Sequence, residues 1–263
     1  MRRRWLAAWA IGAVAAGIVG AGVGARSGAG TPASRGVPYA VPAPIRPAFT
    51  PGTPRALRHS RFAVHWAPVE REATARRAPD ARAAPVARVG RTTPEGTTNI
   101  VRVLGRRTDH ARRLWIEVSL SSLPNGRTGW LPRSALGGYG TVETRLLIDL
   151  RRLTATLLKR GRPVFRARVG VGRPGWPTPR GQFYIRNRLT RYAGRTYGPL
   201  AFGTSARSAH FTDWPGGGFI GIHGTDQPGL IPGRISHGCI RMRNADIVAL
   251  GALMPVGTPV TIR

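Results

Sequence analysis

Residues 235–244 read Ile-Ser-His-Gly-Cys-Ile-Arg-Met-Arg-Asn, and residues 219–225, shortly before them, read Phe-Ile-Gly-Ile-His-Gly-Thr. Cys239 is the only cysteine in the chain, so it cannot close an intrachain disulfide. It is therefore a small buried residue, an intermolecular bridge or a nucleophile. Gly238 allows a tight turn that leaves its own N–H and that of Cys239 open to a ligand, and Arg241 and Arg243 favour thiolate over thiol. This setting favours a reactive cysteine.

A thiol needs a base that removes its proton, and the base needs a third group that fixes its tautomer. Two histidines are available. His223 ends an apolar strand and precedes Gly224, whose carbonyl can accept a hydrogen bond from the ring, while His237 lies two residues before the thiol. Backbone N–H groups near Gly238 and Cys239 can form an oxyanion hole, so these parts together predict acyl transfer through a thioester.

These residues carry a resemblance to a known family. Residues 222–244 resemble the signature of the YkuD-type L,D-transpeptidases, in which a His-Gly strand end is followed by Ser-His-Gly-Cys and then by Arg and Asn. The similarity extends over residues 145–263 and includes Gly172, Thr178-Pro179 and Gly181. It implies a mainly β, β-sandwich-like catalytic domain with one short helix, and a site in a groove under a lid formed by residues 192–214.

The resemblance also implies a role for each site residue. Cys239 is the expected nucleophile, His223 the general base and acid, and the Gly224 carbonyl the group that orients His223. Some relatives have Ser at the Gly224 position, but the role uses a main-chain carbonyl. The remaining expected site residues are His237 and Gly238 at the oxyanion site, and Arg241, Asn244 and Ser236 at the substrate.

The substrate implied by the resemblance is a peptidoglycan stem tetrapeptide, cleaved before its terminal D-Ala. Transfer to an amine of a second stem makes a 3→3 crosslink, and no cofactor or metal is expected. Transfer to water would make the protein an L,D-carboxypeptidase, and transfer to a protein amine would tether that protein to the wall. A wall-binding scaffold without activity is the non-enzyme alternative.

Two rival sites fit the sequence less well. A cysteine peptidase of the NlpC/P60 type places its Cys before its His, whereas no histidine follows Cys239. A metal site could draw on His210, Asp213, His223 and His237, but the HxH, HExxH and paired-Cys spacings are missing.

The residues outside the motif predict a second domain and strands around the site. Apolar alternation from Leu114 to Leu120 and the turn Pro124-Asn125-Gly126 predict a β-hairpin, and residues 86–138 weakly resemble a bacterial SH3-like barrel. A catalytic domain is predicted over residues 143–263. Its expected elements are strands near 146–149, 154–158, 165–169, 182–185, 219–222 and 259–262, and a helix capped by Asn244 with Ile247, Val248, Leu250 and Met254 on its apolar face.

The N-terminus is typical of an exported protein. Arg2, Arg3 and Arg4 precede an uncharged stretch at residues 5–25, which is either a cleaved signal peptide or an uncleaved membrane anchor. Residues 26–85 are rich in Pro, Ala and Arg and are predicted to be a disordered linker. The expected location is the periplasm or cell wall, and contact with the membrane is expected only through the N-terminal segment.

Charge gives a weaker indication of partners. The formal net charge is +30, almost entirely from arginine. An anionic cell-wall polymer fits this charge, but an arginine-rich composition also follows from a GC-rich genome. No zinc-finger spacing or RNA-binding motif accompanies the charge, so nucleic acid is not an expected partner.

Overall fold

The computed structural model describes residues 60–190, 196–210 and 218–263. The predicted signal or anchor segment, most of the linker and both ends of the predicted lid lie outside these ranges. Strands dominate the described residues and α1 (Asn244–Leu253) is the one α-helix among them, so the mainly β prediction is confirmed. No helix in the described part of the chain is long and apolar enough to cross a bilayer.

The first sheet contains seven antiparallel strands. In chain order they are β1 (Val64–Pro68), β2 (Ala73–Arg76), β3 (Pro85–Val89), β4 (Ile100–Thr108), β5 (Leu114–Ser119), β6 (Thr128–Pro132) and β7 (Gly140–Val142). Their spatial order is β3-β2-β6-β5-β4-β1-β7. The predicted hairpin joins β5 to β6, and Gly126 in its turn has a φ of 85°. Ile116, Val118 and Leu131 are fully buried in the core of this sheet.

The predicted domain border at residue 86 is wrong, because β1, β2 and the start of β3 lie in the stretch expected to be a disordered linker. Small side chains explain the error. Ala67 and Ala75 are fully buried and Val69 is nearly so, yet a proline and the charged run Glu70-Arg71-Glu72 lie between them in the sequence. Alanine adds little to an alternating hydrophobic pattern, so a strand that buries alanines is hard to recognise from the sequence.

The second sheet contains ten strands and carries the motif residues. In chain order they are β8 (Thr144–Asp149), β9 (Thr154–Lys159), β10 (Arg162–Arg168), β11 (Gly170–Gly172), β12 (Gly181–Leu189), β13 (Ala201–Arg207), β14 (Phe219–His223), β15 (Gly233–Ser236), β16 (Ile240–Arg241) and β17 (Pro259–Ile262). Their spatial order is β10-β9-β8-β17-β12-β13-β14-β16-β11-β15. Leu157 near one end of this order and Val171 near the other share one buried cluster, so the sheet closes around a single core.

Two predictions need correction, one about a strand of this sheet and one about α1. Residues 201–207 lie inside the segment predicted to be a lid, but they form β13, a central strand buried at nearly every position. Small and polar residues such as Gly203, Thr204 and Ser205 disguise this strand, because a strand buried on both faces has no alternating pattern. In α1, Ile247 and Leu250 are buried as expected, but Val248 is 52% exposed.

Candidate active site

Strand pairing brings the two sequence motifs together. β14 ends at His223 and lies parallel to β16, with Ile222 opposite Ile240 and His223 opposite Arg241. Cys239 immediately precedes β16, and this register brings it beside Gly221, two residues before His223. Both side chains line one mainly apolar cavity of about 90 Å³, together with Phe219, Ser236, His237 and Arg241.

His223 is held as a neutral base. Its Nδ1 lies 2.6 Å from the carbonyl oxygen of Gly224, and because a carbonyl only accepts, Nδ1 carries the proton and Nε2 is left as the basic atom. The residue is 3% exposed. The pKa of His223 is lowered to about 4, mainly by burial; the bond to Gly224 opposes this shift, and the Arg241 charge adds to it. The ring packs edge-on against Tyr197 with centroids 4.8 Å apart.

Asn244 fixes the strand end rather than capping the helix or facing the substrate. Arg243 occupies the N-cap position, and the Asn244 side chain accepts the Thr225 N–H at 2.9 Å. A Cβ built on Gly224 would lie 2.4 Å from Asn244 Oδ1. Asn244 does not line the cavity, so the structure gives it a role in positioning Gly224, and through Gly224 the imidazole.

The Cys239 sulfur accepts a hydrogen bond from Gly221 N–H at 3.4 Å. Burial raises the pKa of this thiol, and the smaller effects of Gly221 N–H and Arg241 act in the opposite direction without reversing the shift. Arg241 therefore favours the thiolate, as expected, but burial has the larger effect on the pKa of Cys239. With the pKa of the thiol raised and that of His223 lowered, the structure favours a neutral thiol beside a neutral imidazole.

The turn before Cys239 is fixed by the conformation of Gly238 and by the hydroxyl of Ser236. Gly238 has a φ of 117°, and a Cβ there would lie 2.9 Å from Ile220 Cδ1, so this position needs glycine. Ser236 Oγ donates to Cys239 O at 2.6 Å and accepts Gly238 N–H at 3.1 Å. Ser236 therefore shapes the turn, although it was predicted to contact substrate. Gly238 N–H is also occupied, contrary to the prediction, so of the two amides expected to face a substrate oxygen only that of Cys239 stays a candidate.

Thr178 belongs to the Gly…Thr-Pro-x-Gly segment, and the structure gives it a role in holding the turn before Cys239. Its buried hydroxyl accepts Gly172 N–H at 2.9 Å and donates to Gly238 O at 2.8 Å. One side chain thus joins the end of β11 to the catalytic turn. The signal was present in the Gly…Thr-Pro-x-Gly segment, but its role depends on a contact across 60 residues that no local pattern encodes.

His237 occupies a different environment from His223. It is exposed, its Nε2 accepts a hydrogen bond from Arg173 at 2.9 Å, and its ring meets Trp176 edge-on at 5.0 Å. Arginine has no acceptor atom, so Nε2 of His237 is unprotonated in this pair. His237 also lines the cavity, but it is exposed where His223 is buried.

Arg241 lines the cavity and provides its positive charge. Its Nη1 donates to Gln227 Oε1 at 3.4 Å, and its Nε is buried without a hydrogen-bond partner. A buried unpaired donor beside the nucleophile is suited to a polar substrate group.

The alternative metal site cannot be assembled from the described residues. Asp213 lies outside them, and within residues 60–190, 196–210 and 218–263 no group of three or more His, Cys, Asp or Glu side chains is placed to hold a metal ion.

Comparison with known proteins shows which family the sequence of the second sheet is similar to. Residues 143–262 match the YkuD family, described as an L,D-transpeptidase catalytic domain. The YkuD protein of Bacillus licheniformis is 36% identical over 122 residues, which cover 46% of this chain and 67% of the relative. The YkuD protein of Bacillus subtilis strain 168 is 35% identical over the same length and the same shares of both chains.

Solved structures give more distant matches. A crystal structure of Enterococcus faecium L,D-transpeptidase has a TM-score of 0.37 and 24% identity, covering 46% of this chain and 49% of that one. A Mycobacterium smegmatis L,D-transpeptidase has a TM-score of 0.39 and 15% identity, covering 63% and 90%. The chain spans about half the length of the E. faecium structure, so the family assignment depends on the sequence comparisons.

Proposed function

The chain belongs to the YkuD family of L,D-transpeptidases, and we propose that it crosslinks peptidoglycan through a thioester on Cys239. One observation supports this most strongly. A buried imidazole, fixed in one tautomer by a main-chain carbonyl, shares a small cavity with the only cysteine of the chain. That arrangement is the nucleophile, base and orienter of covalent acyl transfer.

The donor in this proposal is a stem tetrapeptide. Cys239 Sγ attacks the carbonyl of the third residue while His223 Nε2 takes the thiol proton. The tetrahedral intermediate then expels the amine of D-Ala, which receives that proton, and the thioester remains. The low pKa of His223 makes the imidazolium a strong acid, which suits protonation of a departing amine.

The acceptor is an amine of a second stem. His223 Nε2 takes a proton from this amine as it attacks the thioester, and the sulfur leaves as the thiol, giving a 3→3 crosslink. Cys239 N–H, the His237 side of the cavity and the buried Nε of Arg241 surround the position where negative charge develops.

The acceptor distinguishes the enzymatic alternatives. Water in place of the second stem would give an L,D-carboxypeptidase, and a protein amine would give a tethering enzyme. The test is incubation of the purified chain with a disaccharide tetrapeptide, followed by mass analysis of the products. We expect free D-Ala and a 3→3 dimer with the wild type and neither with Cys239→Ala. Tripeptide without dimer would indicate the carboxypeptidase, and an unchanged substrate would leave the wall-binding scaffold.

We also propose that the first sheet, as an SH3-like domain, holds the enzyme on an anionic wall polymer after export. Arg71, Arg76, Arg113 and Arg133 line a groove of about 940 Å³ on this sheet. The test is pelleting with wall sacculi across a salt series, because salt screens exposed charges. We expect Arg76→Gln/Arg133→Gln to weaken pelleting at low salt more than Arg151→Gln/Arg152→Gln, which removes the same charge outside the groove. Equal losses would mean that only net charge matters.

A further inference from the structure

An ion pair joins the two sheets close to the active site. Arg186 lies on β12 with its side chain only 2% exposed, and its Nη2 donates to both carboxylate oxygens of Glu95 at 3.0 and 3.2 Å. Glu95 lies in the loop between β3 and β4 of the first sheet. In every other ion pair between described residues the arginine is more than half exposed. The Glu95 side chain is 22% exposed, so the pair joins a buried guanidinium to a partly exposed carboxylate.

Further hydrogen bonds fix both members of the pair. Glu95 Oε2 also accepts from Asn187 Nδ2 at 3.1 Å, and the Asn187 amide reaches Thr97 Oγ1 at 3.1 Å. The Nε of Arg186 donates to the Thr204 carbonyl at 3.3 Å. Glu95 is therefore linked through Arg186 to the backbone of β13, next to the strand that carries His223.

The guanidinium of Arg186 lies over the ring of Phe219, 3.7 Å from its centroid. Phe219 is the first residue of β14, and it lines two cavities at once. One is the cavity of Cys239 and His223, and the other is a groove of about 160 Å³ between the sheets that Arg186 also lines. Phe219 is thus a wall between the active site and the ion pair.

The backbone beside Phe219 is tied to the same chain of contacts. Thr204 Oγ1 donates to the Ile220 carbonyl at 2.6 Å, and the following residue, Gly221, donates its N–H to Cys239 Sγ. The position of Arg186 therefore affects both the Phe219 ring and β14, and these two shape the cavity.

We infer that Glu95 is a positioning residue for the active site: its carboxylate holds the Arg186 guanidinium over Phe219, and Phe219 in turn shapes the wall against which the donor peptide binds. This inference depends on the proposed acyl transfer. It gives the first sheet a part in catalysis that does not require binding to the wall. Without Glu95, a buried guanidinium has lost its counter-charge and is drawn towards water, so Phe219 keeps only the more distant guanidinium of Arg207, 4.9 Å from its centroid.

The experiment compares two reactions of Cys239 in the same full-length variants. Acylation by a carbapenem needs a shaped cavity, whereas alkylation by iodoacetamide at a fixed pH needs only access to the sulfur and its deprotonation. We expect Glu95→Ala to slow carbapenem acylation about tenfold and to change alkylation less than about twofold. Glu72→Ala is the matched control, because it removes an exposed ion pair with Arg88 in the same sheet, and we expect both rates to stay at the wild-type value.

A double-mutant cycle tests whether Glu95 acts through Phe219. Phe219→Leu should slow acylation by itself, and adding Glu95→Ala should then change the rate less than about twofold. Independent effects in this cycle, or wild-type acylation by Glu95→Ala, would overturn the inference. Wild-type protein that is folded but never acylated would instead remove the proposed function.

A variant without an unpaired charge separates an effect on stability from an effect on the position of Phe219. Glu95→Ala/Arg186→Met removes both members of the pair, and such replacements restore stability in other proteins. We expect this variant to acylate as slowly as Glu95→Ala, since neither holds the guanidinium over Phe219. Recovery of the wild-type rate would show that the ion pair matters for folding only, and would contradict the positioning role.

Discussion

The two sheets differ in what they bury. Both have an apolar core, but twelve of the thirteen buried polar or charged residues in the described ranges lie within residues 143–263, and Thr93 is the exception. Thr93 itself receives a hydrogen bond from Asn187 of the second sheet at 3.4 Å. A buried polar group costs free energy unless it is paired, so its presence marks a place where structure serves something besides packing. The second sheet is such a place, whereas the described residues before 143 bury one polar side chain, that of Thr93.

The largest expected effect comes from the histidines. His223→Gln removes the buried base whose tautomer the Gly224 carbonyl fixes, and we expect the acylation rate to fall by roughly 10²–10⁴, the usual contribution of general acid–base catalysis. His65→Gln alters a ring of the first sheet that bonds Thr141 and should leave the rate unchanged. His237→Gln should cost at least about tenfold less than His223→Gln. Stopped-flow acylation checks all three, and a greater loss with His237→Gln would reverse the assignment of the base.

Acid should weaken the second sheet through the same residue. The pKa of His223 is about 4 in the fold against an ordinary 6.5, so between these values the unfolded chain binds a proton that the folded chain does not. The free energy of unfolding therefore falls as pH drops from 6.5 to 4, by about 3 kcal/mol from this residue. Above pH 6.5 both states are neutral and the effect is absent.

Denaturant unfolding of wild type, His223→Gln and His65→Gln across this pH range isolates the effect of His223. We expect the difference between wild type and His223→Gln to shrink as pH falls, because only the wild type loses stability through this residue. A difference that stays constant with pH would mean that the His223 pKa is not lowered by folding.

The smallest effect compares two threonines. Thr178→Val leaves Gly172 N–H and Gly238 O without their buried partner, and we expect the free energy of unfolding to fall by about 1–3 kcal/mol and acylation to slow. Thr141→Val removes a hydroxyl at the exposed edge of the first sheet, and surface changes usually stay within about 0.5 kcal/mol. Equal losses of stability would show that the hydroxyl of Thr178 supports nothing beyond local packing.

The sequence predicted the parts of this molecule that depend on local pattern. The hairpin at Gly126, the strand ending at His223 and the helix over residues 244–253 follow from alternation, turn residues and helix periodicity. The pairing of His223 with the Gly224 carbonyl was also predictable, since it joins neighbouring residues. These features need no knowledge of the tertiary fold.

What the sequence missed depends on burial and on contacts between distant residues. The raised pKa of the Cys239 thiol opposes the expectation from nearby arginines, because desolvation exceeds their charge effect. β13 was read as part of a lid because small and polar residues conceal a fully buried strand. Glu95 and Arg186 lie 91 residues apart, so only the folded chain shows that they meet.

The thioester mechanism requires that Cys239 is the acylated nucleophile. Intact-mass measurement after exposure to a carbapenem shows whether this residue is acylated. We expect the full-length wild-type protein to gain the mass of one carbapenem and Cys239→Ala to gain none. Circular dichroism of both proteins establishes that they are folded at the assay temperature. An adduct on Cys239→Ala, or none on the folded wild type, would contradict the thioester mechanism.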